Sequence, residues 1–180
     1  LPEGLPFSNE VMDKKALKDL TAQCYRDLGN ERAQVVLDKI KSLGFHYATQ
    51  AGITISISDI QVPEGKGKLL DEANGQVQQV NEHYAMGLMS AEEQYEHTVS
   101  IWRETSEKIQ GMVEDTMPNY GGVYLMARSG AKGNISQIAQ MAGMRGLMSD
   151  PKGRIIALPI TSSFREGLSV LEYFISTHGA

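Results

Sequence analysis

The segment YAMGLMSAEEQ at residues 84–94 marks a reversal between two helices. Gly87 permits a turn, Ser90 can cap a new helix, and Glu93 three residues later completes a capping box. On both sides apolar residues recur at alternating steps of three and four, the spacing of paired helices. They are Leu70, Ala73, Val77, Val80 and Tyr84 before the turn, then Tyr95, Val99, Trp102, Ile109 and Val113, with Ser106 in the gap. The pattern predicts an antiparallel, coiled-coil-like hairpin over residues 64–118, with projecting arms of roughly 30–40 Å.

The residues before this hairpin predict two more helices and one strand. Apolar spacing favours a helix over residues 15–28 that Gly29 ends, and a second from Asn30 to Gly44, packed as a pair. The stretch GITISISDI at residues 52–60 then alternates isoleucine with polar residues. A period of two predicts a short strand there.

The residues after the hairpin predict short elements of both kinds. Asn134, with Gln137 three residues on, predicts a capped helix over residues 135–142. A turn at residues 150–153 lies between two predicted short strands, and a capping box of Ser163 and Glu166 precedes a last helix from Leu168. That helical pattern still runs at Ala180, so we expect the chain to be cut within a helix. The predicted fold is mainly α with minor β, in three segments: 1–63, 64–118 and 119–180.

Composition restricts the possible functions. The 180 residues are 41% hydrophobic with one cysteine, Cys24, so we expect a folded chain without an internal disulfide. No apolar stretch is long enough for a membrane span and no signal peptide begins the chain, which predicts a cytoplasmic protein. The net charge of −5 divides into −1, −7 and +3 over the three segments. Any contact with nucleotide phosphate therefore belongs to the last segment.

Two local features each allow a functional and a purely structural interpretation. Lys132 between Gly130 and Gly133, just before Asn134, has the composition of a phosphate-binding loop, but a packed turn has the same composition and no Walker motif is present. At the hairpin tip, the apolar Met86, Leu88 and Met89 either form a docking surface or close the seam.

Self-sufficient catalysis is not predicted. His83 and His97 with neighbouring glutamates fit a solvated polar face better than a metal site, and no acid/base or nucleophile set stands out.

The chain resembles the β′ subunit of bacterial multisubunit RNA polymerase in several long stretches that follow the same order. They are LPEGLPFSNEVMDKKALKDLTAQCYRDLG, LGFHYATQAGITISISDI, MARSGAKGNISQIAQMAGMRGLM and LPITSSFREGLSVLEYFISTHGA. The resemblance covers essentially the whole chain and implies a fragment of a DNA-directed RNA polymerase, a nucleotidyltransferase. It places the fragment in the pore and funnel of the secondary channel, by which nucleotides enter.

The resemblance also implies roles for particular residues. Residues 64–118 would be the rim helices, whose tip residues Met86, Leu88, Met89, Glu92 and Glu93 would dock Gre-type factors and other secondary-channel regulators. Lys132, Gly130, Gly133 and Asn134 would contact the phosphates of the incoming nucleoside triphosphate, with lysine where much of the family has arginine. Met144, Arg145 and Pro151 would support the bridge helix, which would begin at Leu168.

The same resemblance implies the partners and the cofactor. The partners would be the β, α and ω subunits and the remainder of β′, with DNA and RNA reached mainly through the assembled enzyme, in the cytoplasm and on the nucleoid. Catalytic Mg²⁺ would be bound outside this segment, so the isolated fragment would be inactive. Two alternatives stay open from the residues alone: a free-standing helical interaction module with a partner-binding hairpin, and a small phosphate-binding enzyme.

Overall fold

The computed structural model describes residues 5–178, and its secondary structure is mainly α, as the sequence predicts. The chain forms two compact units. The first contains the residues up to Ile55 together with Gly122–Gly133, and the second contains Ser56–Gly121 and the residues from Asn134 onward. The predicted helical continuation to Ala180 lies outside the described residues.

Helix α1 (Lys14–Ala51) forms most of the first unit and bends at Gly29. Gly29 leaves the helical conformation with φ 73 and ψ 173, which glycine adopts without a Cβ penalty. One buried cluster joins the two arms, and it consists of Cys24, Ala33 and Val36 with Leu5, Leu20, Leu28 and Ile40 against it. In a straight helix Leu20 and Ile40 would be about 30 Å apart. The arms therefore fold back on each other as the predicted pair.

The structure differs from two sequence predictions near the end of α1. The second arm of α1 does not end at Gly44 but continues to Ala51, and Gly52 follows it with φ 57. The predicted strand over residues 52–60 is wrong, because Ile57–Asp59 forms a 3-10 turn in which Ser56 N–H donates to the Asp59 carboxylate at 2.7 Å. A strand needs a neighbouring strand to pair its backbone N–H and C=O groups. Within residues 5–178 the β-bridges join Gly146 to Ile160 and Ser149 to Ile155, and none includes residues 52–60. The capping signal of Ser56 and Asp59 decides the local structure instead. Helix α4 (Gly122–Ser129) completes the first unit.

Helices α2 (Lys66–Ala85) and α3 (Ala91–Thr116) form the predicted antiparallel hairpin. The Ser90–Glu93 capping box is present, with Ser90 N–H donating to the Glu93 carboxylate at 2.7 Å. The buried seam residues are Ala73 on α2 and Val99, Trp102, Ile109 and Val113 on α3. At the other end of the hairpin, Tyr120 is fully buried and its hydroxyl donates to the Gln61 carbonyl at 2.7 Å.

Helix α5 (Ile135–Ala142) packs on α3 and begins at Asn134, as predicted. The Asn134 side-chain oxygen accepts from Gln137 N–H at 2.9 Å. Gly143 ends α5 so close to α3 that a Cβ there would lie 2.7 Å from Ile109 Cγ2 and 3.2 Å from Val113 Cγ2. Only glycine allows this approach, and α3 is therefore covered by a second helix on the face near Ile109.

The chain after α5 runs beside α3, a contact that the sequence did not predict. Gly146 and Ile160 exchange two backbone hydrogen bonds of 2.9 Å, and Ser149 bridges to Ile155 around the predicted turn at residues 150–153. These isolated bridges replace the two short strands that were predicted. Beside α3, Ser106 Oγ lies 3.6 Å from Met144 Sδ, and the Tyr95 hydroxyl donates to the Ile155 carbonyl at 2.9 Å.

The last helix, α6 (Val170–His178), begins two residues later than predicted. The Ser163–Glu166 capping box forms, but it closes a turn and not the helix. A second Ser-x-x-Glu pattern, Ser169 and Glu172, caps α6 itself, with Ser169 N–H donating to Glu172 at 2.9 Å. The sequence contains both patterns, and the glycine at position 167 separates the first one from the helix.

Replacing Trp102 tests the assignment of the hairpin seam. Trp102 is 4% exposed, so Trp102→Ala removes a large buried contact, and we expect the free energy of unfolding to fall by about 3–5 kcal/mol. Chemical denaturation of the chain measures the loss. The neighbouring exposed Arg103→Ala is the control and should change little, and equal stability of the two variants would show that Trp102 does not lie in the seam.

Candidate functional site

The hairpin tip has an apolar surface beside an acidic one. Met86 and Leu88 are 63% and 69% exposed, whereas Met89 is half-buried. Glu92 and Glu93 follow in the first turn of α3. Hydrogen bonds from the Ser90 backbone N–H and hydroxyl lower the pKa of Glu93 below its usual value and so favour its charged form. The five residues predicted for docking thus lie together at one end of the hairpin.

An arginine of the same chain reaches this end of α3. The Arg154 guanidinium lies 4.5 Å from the centre of the Tyr95 ring and 4.0 Å from a Glu92 carboxylate oxygen. Both charged side chains are more than half exposed, so the ion pair itself contributes little stability. The contact nevertheless places one basic residue beside the acidic part of the tip.

The glycine loop around Lys132 is a compact turn at the end of the first unit. Gly130 and Gly133 have φ 72 and φ 81, and Lys132 is exposed. Lys132 N–H is directed at the Met126 carbonyl at 3.5 Å, and Ala131 N–H donates to Ser129 Oγ at 3.4 Å. Two amides of the loop are therefore engaged inside the turn, while the Lys132 ammonium faces solvent. Asn134 belongs to the second unit, where it caps α5.

The three residues predicted to support the bridge helix occupy different surroundings. Met144 is 5% exposed and packs next to Ser106 of α3. Arg145 lies over the Phe164 ring at 5.1 Å, and its backbone N–H donates to the Ser162 carbonyl at 3.2 Å. Pro151 lies in the exposed turn at residues 150–153. Arg145 thus contacts the segment that leads to α6.

A buried polar network holds that segment, and the sequence predicts only its Ser163–Glu166 contact. Ser163 is fully buried, and its N–H and hydroxyl donate to the Glu166 carboxylate at 2.8 and 2.7 Å. The same carboxylate accepts from Lys66, which is 4% exposed at the start of α2. Arg165 adds a bond to the Ile60 carbonyl at 3.2 Å. A lysine in the first turn of a helix gives no sequence signal of burial, because its partner is a hundred residues away.

Two carboxylates in this region hold their charge to low pH. Burial pushes the pKa of Glu166 upward, but hydrogen bonds from Lys66 and Ser163 outweigh burial and hold that pKa below its usual value. For Glu172, burial is likewise outweighed, by bonds from Ser169 and Ser162, and its pKa falls from 4.5 to about 2. Because folding lowers both pKa values, the two charged carboxylates stabilise the folded state above about pH 4.5. This stabilisation is lost as the pH falls through the folded-state pKa values.

The described residues contain no group of three His, Cys, Asp or Glu side chains placed to hold a metal ion. Within residues 5–178, moreover, no helix has both the length and the apolarity that a membrane crossing requires.

Comparison with known proteins gives a consistent result over the whole chain. Residues 71–168 match the family described as RNA polymerase Rpb1, domain 4, and residues 5–60 match Rpb1, domain 3. Over all 180 residues the chain is 51% identical to the DNA-directed RNA polymerase subunit beta′ of Desulforamulus reducens and of Pelotomaculum thermopropionicum. It is 49% identical to that of Heliobacterium modesticaldum. The chain spans 15% of the length of each of these relatives.

The Lys66–Glu166 pair gives a stability test of the buried network. Glu166→Gln leaves the buried ammonium without a counter-charge, and we expect a loss of about 3 kcal/mol in the free energy of unfolding. Lys66→Met added to Glu166→Gln should recover most of that loss, because the buried charge is gone. The exposed pair of Lys68 and Glu72 is the control, and Glu72→Gln should cost less than about 0.5 kcal/mol. No recovery in the double variant would mean that the ammonium is not the source of the cost.

Proposed function

Because this chain belongs to the RNA polymerase Rpb1 and β′ family, we propose that it lines the secondary channel, braces the start of the bridge helix and docks channel-binding regulators. The observation that carries the proposal is the 51% identity to beta′ subunits along all 180 residues. The two family matches also follow the chain in order, domain 3 before domain 4. The activity served is DNA-templated nucleotidyl transfer by the whole polymerase.

Each of the three sequence segments has its own role in this proposal. Residues 1–63 form part of the pore and funnel, residues 64–118 the rim hairpin, and residues 119–180 the nucleotide-facing loop and the start of the bridge helix. We assign each a positional role, and within residues 5–178 no group of three His, Cys, Asp or Glu side chains is placed to hold a metal ion. Catalytic Mg²⁺ is assigned to a part of the subunit outside this chain. The partners are the remaining subunits and the nucleoside triphosphates that pass the loop.

The surface of the hairpin tip supports the docking role. Two exposed apolar side chains, Met86 and Leu88, adjoin two carboxylates. A partner that presents basic residues around an apolar centre is complementary to that surface. Because Glu92 is only weakly paired with Arg154, a basic side chain of the partner can replace Arg154 at little cost.

The docking role is tested by changing the tip in the assembled polymerase. Met86→Ser with Leu88→Ser removes both exposed apolar side chains of the tip, and we expect the affinity for a Gre-type factor to fall about tenfold or more. Binding of labelled factor measures the change, while factor-free elongation checks that the enzyme has assembled. The control is Gln76→Ser with Gln79→Ser on the exposed side of α2, which should bind normally. If the tip variant and the control bind equally well, the tip has only a structural role.

The phosphate role of Lys132 is tested by single-nucleotide addition at varied substrate concentration. Lys132→Ala should raise the apparent KM several-fold, because one exposed lysine contributes about 1 kcal/mol to a screened phosphate. Lys132→Arg should be neutral or slightly favourable. Lys152 is a matched control, since it is also an exposed lysine before a glycine in a turn, and Lys152→Ala should leave KM unchanged. An unaltered KM in Lys132→Ala would identify the loop as a packed turn only.

A further inference from the structure

Helix α6 has little side-chain packing to hold it in the second unit. Its described residues include none that is buried. Four large side chains in its first turns are 58–76% exposed, namely Val170, Leu171, Tyr173 and Phe174. Apolar burial, which fixes α3 and α5, therefore does not fix the direction of α6.

The carboxylate of Glu172 supplies the missing attachment through donors from two segments. From the segment before the Ser163 turn, Ser162 donates its N–H at 3.0 Å and its hydroxyl at 2.8 Å, and Thr161 its hydroxyl at 3.4 Å. From the residue that precedes α6, Ser169 donates its N–H and hydroxyl at 2.9 Å each. The second group is an ordinary helix cap, but the first joins α6 to a different part of the chain.

The segment that receives α6 is itself firmly held. Ile160 and Gly146 exchange two backbone hydrogen bonds, and the Ser162 carbonyl accepts from Arg145 N–H. On its other side, the buried Ser163 is bound by Glu166, which is paired with Lys66 of α2. The adjacent Ser162 and Ser163 are thus bound by two different carboxylates. Glu166 connects Ser163 to the hairpin through Lys66, and Glu172 connects Ser162 to α6.

We propose that Glu172 is a positioning residue that fixes the start and direction of α6 against residues 161–162. Charge-assisted bonds to several donors are stronger and more directional than neutral ones. Because each residue of a helix adds 1.5 Å of length, a tilt at the first turn displaces later turns in proportion to their distance. A single carboxylate at the N-terminus therefore controls where the rest of the helix lies.

The consequence for catalysis rests on the proposed function of α6 as the start of the bridge helix. A displaced helix misaligns reacting groups rather than removing a phosphate contact. Loss of the Glu172 contacts should therefore lower kcat for nucleotide addition several-fold while the KM for nucleotide changes less than about twofold. A helix that is merely less stable would not produce this separation.

The experiment uses the assembled polymerase with Glu172→Gln, Ser162→Ala and Ser169→Ala. Hydrogen exchange is followed in peptides that cover residues 160–164 and 168–172, and nucleotide addition is measured in parallel.

Glu172→Gln should speed exchange about tenfold in both peptides, because a neutral amide makes weaker hydrogen bonds than a carboxylate. Ser162→Ala should lower kcat as Glu172→Gln does, although the cap from Ser169 is intact. Glu107→Gln, an exposed glutamate of α3, is the matched control.

The outcomes separate the positioning role from the proposed function. Faster exchange only in residues 168–172 would overturn the proposal, because Glu172 would then be a helix cap and nothing more. Normal kcat in Ser162→Ala, with reduced kcat in Ser169→Ala, would overturn it in the same way. Faster exchange in both peptides with normal nucleotide addition would support the Glu172 contact and contradict the assigned function of α6.

Discussion

The packing of helix α3 against two other helices is the constraint on which the second unit depends. Ile109 and Val113 are 1% and 0% exposed because α3 packs on α2 and also receives the end of α5. Gly143 makes the second contact possible, since any side chain there would overlap Ile109. The chain that follows α5 also runs beside α3. Met144 and Ile155 then meet Ser106 and Tyr95 along its length.

Polar contacts complete what the apolar packing begins. The core around α3 leaves the last helix without a buried face, and two carboxylates organise the residues that precede it. Glu166 is joined to the base of α2 through the buried Lys66, and Glu172 is joined to the first residue before α6. An ion pair with one buried partner, such as Lys66–Glu166, adds less stability than an apolar contact of equal size, but it specifies one arrangement of the groups that it joins.

The two ends of the hairpin therefore differ in character. At the tip, apolar side chains are exposed and the Glu92–Arg154 pair is weak, so this end is suited to exchanging partners. At the base, Lys66 and Tyr120 are buried and hydrogen-bonded, so that end is suited to holding a fixed geometry. The docking role proposed for this hairpin requires both properties, a replaceable contact at one end and a rigid attachment at the other.

Local signals in the sequence determined most of the helices and several of their ends, but not α4, because its glycines at positions 121 and 122 indicate a link rather than a helix. The heptad spacing from Leu70 to Val113, the caps at Ser90 and Asn134, and the break at Gly29 act between residues close in the chain, so the sequence alone predicts them. Predictions that depended on distant partners were wrong. The run at residues 52–60 found no neighbouring strand, and the flanks of the turn at residues 150–153 paired only at isolated bridges. Only the tertiary structure decided that Lys66 is buried against Glu166 and that Glu172 binds Ser162, because burial depends on what the fold brings near a residue, and no pattern around one residue contains that information.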